Sequence, residues 1–326
     1  MTIGEACDTH YLPYAIDLAE STRGKLRYHF RRWERLVGKI DIADITPETF
    51  AEYRRVSLEA GLCARSIETV IVDVLTVLRR CEALGLIDKL PSAGRRLRRR
   101  QTIPKQPTLE EMGAVWRHCQ AATWPTKPGA YGTAEDFWRA WFATAYFTGF
   151  RLGDLLQLSW DRVSLDANIV EGQALKTGKV VRLPIHPVLR ERLAMVPDLL
   201  RRGMVFPVYR NPKYYRAALR QICASAMVPK ITPKMIRRAA GTQAEKGRAG
   251  SGALILGHSL SGATRFYIES ETLLGEAIDN MPVPPGWPSQ YNDRDADQES
   301  RLVRDYRSLP ARDRETIQSL MSRLKN

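Results

Sequence analysis

The sequence lacks the features that mark membrane-spanning, exported and metal-binding chains. No run of about 18 apolar residues occurs, which is the length needed to cross a bilayer. The first twenty residues carry acidic side chains where an export signal would carry basic ones, so we expect a cytoplasmic chain. The five cysteines lie far apart, without a CxxC pair or a histidine at ligand spacing. This pattern predicts reduced thiols and no metal site.

Positive charge is abundant instead. Lys and Arg number 50 against 36 Asp and Glu, which gives a formal net charge of +14 in a chain of 326 residues. This excess favours a polyanionic partner, and nucleic acid is the commonest polyanion inside cells. The length suffices for two domains, each with its own core.

The region from residue 21 to residue 90 has helical periodicity. Its first helix has one apolar stripe, while Arg27 and Arg31 lie on other faces. Thr46 and Pro47 begin a second helix that we expect to reach Arg55, and a third apolar stripe runs from Ile67 to Cys81. The pattern predicts a small, basic helical domain over 21–90, preceded by an N-terminal extension over 1–20.

Residues 91–107, PSAGRRLRRRQTIPKQP, form a basic segment with prolines at both ends. Five of six consecutive positions are arginines, namely Arg95, Arg96, Arg98, Arg99 and Arg100. Such a run cannot pack in a core, so it is either a solvated spacer or a segment that lies against phosphates. The strong positive charge of the chain favours the second interpretation.

The region 108–281 is predicted to form a second domain. Thr108 and Glu111 have capping-box spacing, and AEDFWRAWFATAYFTG is expected to be a buried helix ending near Gly149. Three short strands are predicted in SWDRVSLDANIVEG, ALKTG and KVVRLPI, with a turn at Thr177 and Gly178, before helices resume. Residues 282–326 should comprise a flexible connector, up to residue 300, and a C-terminal amphipathic helix. That helix could dock on a neighbouring protomer or pack on its own domain.

Five separated segments of this domain each carry a cation or another polar group where the fold should turn, at Arg151, at Lys176, at Lys234 and Arg237, at His258 and at Tyr267. Taken singly, an arginine after a helix is usually a surface residue, and a histidine at a helix end is usually a cap. In order, however, the segments resemble the tyrosine recombinase (phage integrase) family: TGFRLGDLLQLSWDRVSL, LKTGKVVRLPI, TPKMIRR and LGHSLSGATRFY. The resemblance covers about residues 108–275, and residues 20–90 resemble the family's core-binding domain.

The resemblance implies a fold class and a set of site residues. The expected fold is mainly α with a small antiparallel β-sheet, in which a helical, SAM-like core-binding domain precedes a mixed α/β catalytic domain. The implied catalytic residues are Arg151, Lys176, Lys234, Arg237, His258 and Tyr267, with Asp154 in support and Arg238 as a structural or outer DNA contact. Tyr267 would be the nucleophile, and Lys234 occupies the position usually held by histidine.

Physical chemistry supports these roles independently. A planar guanidinium can bind two oxygens of a phosphoryl group, so Arg151 and Arg237 could stabilise the charge that a metal ion stabilises elsewhere. A tyrosine hydroxyl, whose ordinary pKa is about 10, needs neighbouring charge to act as a nucleophile. Lys176, on a hairpin near arginines, is a candidate general acid for the leaving 5′-oxygen. The absence of a Walker-type loop and of a clustered carboxylate pair agrees with a reaction that needs neither ATP nor metal.

Two positions differ from the common family pattern. Lys234 replaces a histidine, a substitution also found in the related poxvirus type IB topoisomerases, and an ammonium group acts as a phosphate clamp or acid rather than as a base. Glu269 stands where a further histidine is frequent.

The sequence therefore predicts a site-specific recombinase or integrase that cleaves and rejoins double-stranded DNA through a 3′-phosphotyrosyl link, without a cofactor. We expect a monomer in free solution and a tetramer on DNA, associated with the nucleoid. Two alternatives use the same fold: a DNA-binding regulator that does not cleave, and a relaxing topoisomerase. Relaxation of plasmid without a recognition site would favour the latter.

Overall fold

The computed structural model describes residues 1–98, 104–173, 178, 180–207, 211–257 and 270–288, with side chains from 274 onward in the last range. The chain divides into two compact units, Met1–Ile103 and Pro104–Asn326. No helix in these ranges is both long enough and apolar enough to cross a membrane.

The first unit is a small helical domain. Its helices are α1 (Ile3–Ala6), α2 (Glu20–Val37), α3 (Pro47–Glu59) and α4 (Ala64–Ala83). The α2 stripe is buried as predicted, and the Trp33 ring lies 4.7 Å from that of Tyr53 and 5.5 Å from that of Phe50. Helix α3 ends at Glu59 rather than at the predicted Arg55, because Arg55 pairs with Glu52 and Glu59 along the extra turn.

The N-terminal residues contribute to the core of this unit. Ile3, Ala6, Cys7 and Leu12 are all buried in it. The amide of Gly4 donates to Glu34 Oε1 over 3.2 Å, which attaches the segment to α2. The first twenty residues, expected from sequence as an extension, therefore pack on α2 and α4.

A buried ion pair attaches the beginning of the basic segment to the first unit. Arg54 Nε lies 2.8 Å from Glu68 Oε1, and both side chains are almost fully buried. Arg54 Nη1 donates to the carbonyl of Ala93 over 2.6 Å, and the amide of Leu97 donates to Glu68 Oε1 over 3.2 Å. The chain from residue 93 to residue 97 is thus part of the folded unit.

The second unit places eight helices around a small sheet in its described residues. They are α5 (Leu109–Arg117), α6 (Ala134–Thr148), α7 (Leu152–Leu155), α8 (Pro187–Ala194), α9 (Pro212–Ser225), α10 (Pro233–Gly247), α11 (Ser251–Ile255) and α12 (Ser270–Asp279). The predicted capping box is confirmed, since Thr108 Oγ1 accepts from the Glu111 amide over 3.1 Å. Helix α6 is buried on nearly all sides, as predicted, and packs against α8 and α10.

The sheet consists of β1 (Val163–Ser164), β2 (Ile169–Gln173) and β3 (Val180–Pro184), antiparallel in the order β1-β2-β3. Gly172 pairs with Val181 across β2 and β3. The prediction of one strand in SWDRVSLDANIVEG is wrong, because that stretch contains both β1 and β2. Asn168, with φ 57°, takes the left-handed conformation that reverses the chain between them. Residues 174–177, where another strand was expected, lie outside the described residues.

The chain after α12 is packed rather than flexible. Trp287 is 3% exposed, its ring stacks on that of Trp116 at 4.3 Å, and its Nε1 donates to the carbonyl of Met112. The predicted flexible connector is therefore wrong for residues 282–288. Residues 289–326, which include the predicted amphipathic helix, lie outside the described residues.

Candidate active site

The end of α6 positions Arg151. Gly149 caps the helix in the left-handed conformation with φ 59°, and a Cβ there would lie 3.2 Å from Leu256 Cδ2. Glycine meets both demands, the positive φ and the close packing. The turn directs Phe150 into the core, where it is 5% exposed, and leaves Arg151 at the surface.

The Arg151 side chain is 46% exposed and points toward a buried acid. Its Nη1 lies 3.8 Å from Oδ2 of Asp154, whose side chain is 8% exposed. Asp154 lies on the short helix α7, one turn after Arg151. This ion pair biases the direction of the guanidinium while leaving most of its donors accessible, and the supporting role of Asp154 stays a prediction.

Arg237 lies at the convergence of three helices. Thr232 caps α10, its hydroxyl accepting from the Met235 amide over 3.3 Å, so that Arg237 falls in the second turn. Its Nη1 donates to the carbonyl of Gly149 and its Nη2 to the carbonyl of Leu256, the latter over 2.6 Å. These carbonyls end α6 and α11, and the partial negative charge at helix C-termini favours a cation there.

The charge of Arg237 is disfavoured by its surroundings in the described part of the unit. Burial, and to a smaller extent the charge of Arg151, lower its pKa to about 10 against the opposing effect of Asp154. The group therefore stays protonated at neutral pH, although its charge is disfavoured. Among the described residues no carboxylate forms a salt bridge with it. A half-buried cation of this kind is stabilised by an added anion.

Lys234 and Arg238 lie in different surroundings on the same helix. Lys234, three residues before Arg237, is on the same face and is exposed. Arg238 is half-buried, and its Nη1 donates to the carbonyl of Lys105 over 3.3 Å. Arg238 thus contacts the beginning of the second unit.

Three predicted site residues, Lys176, His258 and Tyr267, lie outside the described residues. The chain on either side of them can be placed. Gly257 packs against β3, since a Cβ on it would lie 2.9 Å from Val181 Cγ2. The carbonyl of Leu256 accepts from Arg237, so the residues directly before His258 lie between Arg237 and β3.

The sequence did not predict the packing of Phe150 against Gly172, which supports the backbone next to Arg151. A Cβ on Gly172 would lie 2.3 Å from Cζ of the Phe150 ring. Only glycine in β2 leaves room for that ring, which precedes Arg151 directly. Gly172 lies in a strand, two residues after Val170 and opposite Val181. A glycine inside a strand is the signal that could have indicated this close approach.

The predicted DNA contacts of the first unit are at its surface. Arg27 lies 3.0 Å from Asp8 Oδ1 and 3.9 Å from Glu20 Oε1, and Arg31 donates to the carbonyl of Arg27. The other described members of the predicted set, Arg95, Arg96 and Arg98, are exposed, while Arg99 and Arg100 lie outside the described residues. In the described parts of both units, no group of three His, Cys, Asp or Glu side chains could hold a metal ion.

No family model matches the chain. A protein of Pseudomonas syringae named "Putative tyrosine recombinase XerC" is 26% identical over 250 residues, which make up 71% of this chain and 51% of that protein. The chain therefore spans about half the length of the curated relative that it matches.

Solved structures of integrases are similar at lower sequence identity. A lambda integrase dimer bound to a COC′ core site gives a TM-score of 0.65 at 17% identity, over 80% of this chain and 96% of that one. The Tn1549 transposon integrase in complex with circular intermediate DNA gives 0.62 at 14% identity, over 92% and 99%. A lambda integrase tetramer bound to a Holliday junction gives 0.60 at 16% identity, over 83% and 78%. The predicted fold class, mainly α with a small antiparallel sheet, is confirmed.

Proposed function

We propose that this chain, which has the fold of the tyrosine recombinases, is a site-specific DNA recombinase or integrase. It cleaves and rejoins duplex DNA through a 3′-phosphotyrosyl intermediate, with neither metal nor ATP. The observation that carries the proposal is the placement of Arg151 and Arg237 around one turn, with the charge of Arg237 half-buried and without a carboxylate partner among the described residues. The similar structures are integrases bound to DNA, which supports DNA as the substrate.

A phosphodiester suits these two arginines. With two of its five N–H groups bonded to carbonyls, Arg237 keeps donors for an anion, and Arg151 presents its guanidinium at the surface. Each could bind a non-bridging phosphate oxygen, which gains negative charge in the transition state. The anion would also offset the desolvation that lowers the pKa of Arg237.

The proposed chemical step conserves the number of phosphodiester bonds. The Tyr267 hydroxyl loses its proton to solvent as its oxygen attacks phosphorus, a phosphotyrosyl ester forms at the 3′ side, and the bond to the 5′-oxygen breaks. Lys176 gives a proton to that oxygen as it leaves. Rejoining reverses the step with a 5′-hydroxyl as the nucleophile, so no external energy source is required. Lys234 and His258 complete the set as a cation and as a hydrogen-bond donor to the phosphate.

We assign the remaining contacts to the first unit and the basic segment. Arg27, Arg31 and the arginines of residues 95–100 would bind phosphates of the duplex, a role that positions the enzyme without reading sequence. Arg238 contributes at most an outer contact, since it already bonds the carbonyl of Lys105. We expect a free monomer in the cytoplasm and a tetramer on the DNA of the nucleoid, as in the lambda integrase tetramer on a Holliday junction.

Covalent trapping tests the proposal directly. A duplex nicked close to the scissile phosphate loses its 5′-hydroxyl fragment after cleavage, so the phosphotyrosyl complex accumulates and survives denaturing electrophoresis. We expect trapping in EDTA and without ATP by the wild-type chain, and none by Tyr267→Phe. Trapping that persists in Tyr267→Phe would refute the assignment of the nucleophile. DNA binding without trapping on a cognate site would show that the chain is a regulator that does not cleave.

The role of Lys234 can be separated from DNA binding. Lys234→Ala should lower the trapping rate by about 10²-fold or more while changing the dissociation constant for DNA little, because a group that acts mainly in the transition state affects rate rather than affinity. Lys234→His should restore part of the rate. An equal loss of rate and affinity in Lys234→Ala would instead indicate an ordinary phosphate contact.

A further inference from the structure

The chain that follows α12 forms a strap across the second unit. We call residues 282–287, PVPPGW, the C-terminal strap. Tyr146 donates its hydroxyl to the carbonyl of Pro282 over 2.9 Å, and Arg117 Nη1 donates to the carbonyl of Pro285 over 3.0 Å. The strap is therefore bonded to both α5 and α6, more than one hundred residues away in sequence.

One glycine makes this close approach possible. A Cβ on Gly113, within α5, would lie 2.2 Å from the carbonyl oxygen of Pro285 and 3.1 Å from its carbon. Backbone atoms cannot move aside as a flexible side chain does, so any larger residue at position 113 must displace the strap. Gly113 lies inside helix α5, where glycine is less favourable than alanine. The close approach of the Pro285 carbonyl explains why a glycine stands there.

Trp287 fixes the far end of the strap. Its ring stacks on Trp116 at 4.3 Å and 26°, and meets the edges of Phe142, Tyr146 and Phe147 at 5.7 to 6.1 Å. At 3% exposure it is among the buried residues of the main core. The strap thus ends in the core of the unit rather than on its surface.

The strap follows the helix that directly succeeds the predicted nucleophile in sequence. Helix α12 begins at Ser270, three residues after Tyr267, and buries Leu274, Ala277 and Ile278 against its neighbours. Its neighbours are α10, α11 and β3. The chain before residue 258 is held by the bond from Arg237 to Leu256, and the chain after α12 is held by the strap.

We infer that Gly113 and Trp287 are positioning residues for DNA cleavage, acting through the strap to fix α12 and with it the chain end that follows Tyr267. The inference rests on the proposed function. It assigns a catalytic consequence to contacts of the strap that involve none of the candidate site residues. Nucleophile placement is demanding, since a displacement of about 1 Å can lower a rate by about 10²-fold.

Gly113→Ala displaces the strap without removing any of its side chains. We expect it to lower the trapping rate at saturating nicked duplex by about 10- to 100-fold, with an unchanged dissociation constant for DNA. The matched control is Gly275→Ala, the same substitution inside α12, where a Cβ meets nothing within 4 Å. That control should trap at the wild-type rate.

Trp287 provides a second test. Trp287→Ala should show the same split between rate and affinity, and Trp287→Phe should recover most of the rate because an aromatic ring again stacks on Trp116. Trp138→Leu removes another buried tryptophan of the same unit, whose ring packs on the rings of Trp124, Phe137, Trp141 and Tyr215. If Trp138→Leu slows trapping as much as Trp287→Ala does at the same temperature, the effect is general destabilisation and the inference is refuted.

Hydrogen exchange distinguishes failure of this inference from failure of the proposed function. In Gly113→Ala the amides of α12 should exchange faster than in the wild type, while those of α9 stay protected. This result is expected whether or not the chain cleaves DNA. Suppose that the wild-type chain traps DNA, but that Gly113→Ala changes neither the protection of α12 nor the trapping rate. The role of the strap is then refuted, and the proposed function is not.

Discussion

Replacing Gly172 with alanine tests how the sheet supports Arg151. In β2 a Cβ at this position would lie 2.3, 2.5 and 2.8 Å from three atoms of the Phe150 ring. The ring is 5% exposed and packed in the core, so it cannot rotate into solvent. The substitution must therefore push Phe150, and the backbone that continues into Arg151, away from β2.

The size of the effect follows from two opposing contributions. Overpacking a core typically costs about 1 to 3 kcal/mol. Alanine loses less backbone entropy than glycine in a strand, which returns about 0.5 to 1 kcal/mol. We expect Gly172→Ala to destabilise the second unit by about 1 to 2 kcal/mol, or roughly 2 to 8 °C in Tm for a unit of this size.

A double-mutant cycle with Phe150→Leu isolates the contact. Thermal unfolding followed by circular dichroism gives the stability of each variant, and trapping of nicked duplex gives the rate. With the ring removed, Gly172→Ala should be neutral or slightly stabilising, a coupling of about 1 to 3 kcal/mol between the two sites. Equal destabilisation by Gly172→Ala in both backgrounds would refute the steric account.

Two further predictions concern buried ionisable groups. Glu68→Gln leaves the buried charge of Arg54 unpaired and should lower the free energy of unfolding, measured in urea, by about 3 to 5 kcal/mol. Replacing both partners with leucine should lower it much less. Similar losses in the two variants would contradict this explanation. Burial lowers the pKa of His186 to about 4, and its Nδ1 accepts from the Val188 amide at the start of α8. The imidazole of the unfolded chain takes up a proton near pH 6.5, whereas the folded one does so only near pH 4. The free energy of unfolding should therefore fall as the pH is lowered from about 6.5 to 4, by at most about 3 kcal/mol. His186→Asn keeps an acceptor for the cap and should remove most of this pH dependence.

Local features of the fold could be predicted from sequence because they depend on neighbouring residues. The start of α10 is one such feature, since the cap Thr232 and Pro233 at the first helical position set it within the sequence itself. The α6 end at Gly149 likewise needs only a residue that accepts positive φ. The resemblance of the motif order to recombinases is supported by the structural similarity, while the roles of the individual site residues remain predictions.

Features that depend on distant partners could not be predicted in the same way. PVPPGW has the composition of a connector, and its burial depends on Gly113 and Trp116, which lie far earlier in the chain. No glycine or proline marks the turn at Asn168, so the sequence of SWDRVSLDANIVEG does not show that it contains two strands. The charge of Arg237 was evident from sequence, but its carbonyl partners were not.

The two arginines of the candidate site differ in what their loss would do to the fold. Arg237 satisfies the terminal carbonyls of two helices, so the fold would need it even in a chain that did not cleave DNA. Arg151 makes one described side-chain contact, a 3.8 Å ion pair, and could be replaced at little cost to stability. Under the proposed function, the presence of Arg151 in a related sequence would therefore indicate DNA cleavage, whereas the presence of Arg237 would indicate mainly that the fold is retained.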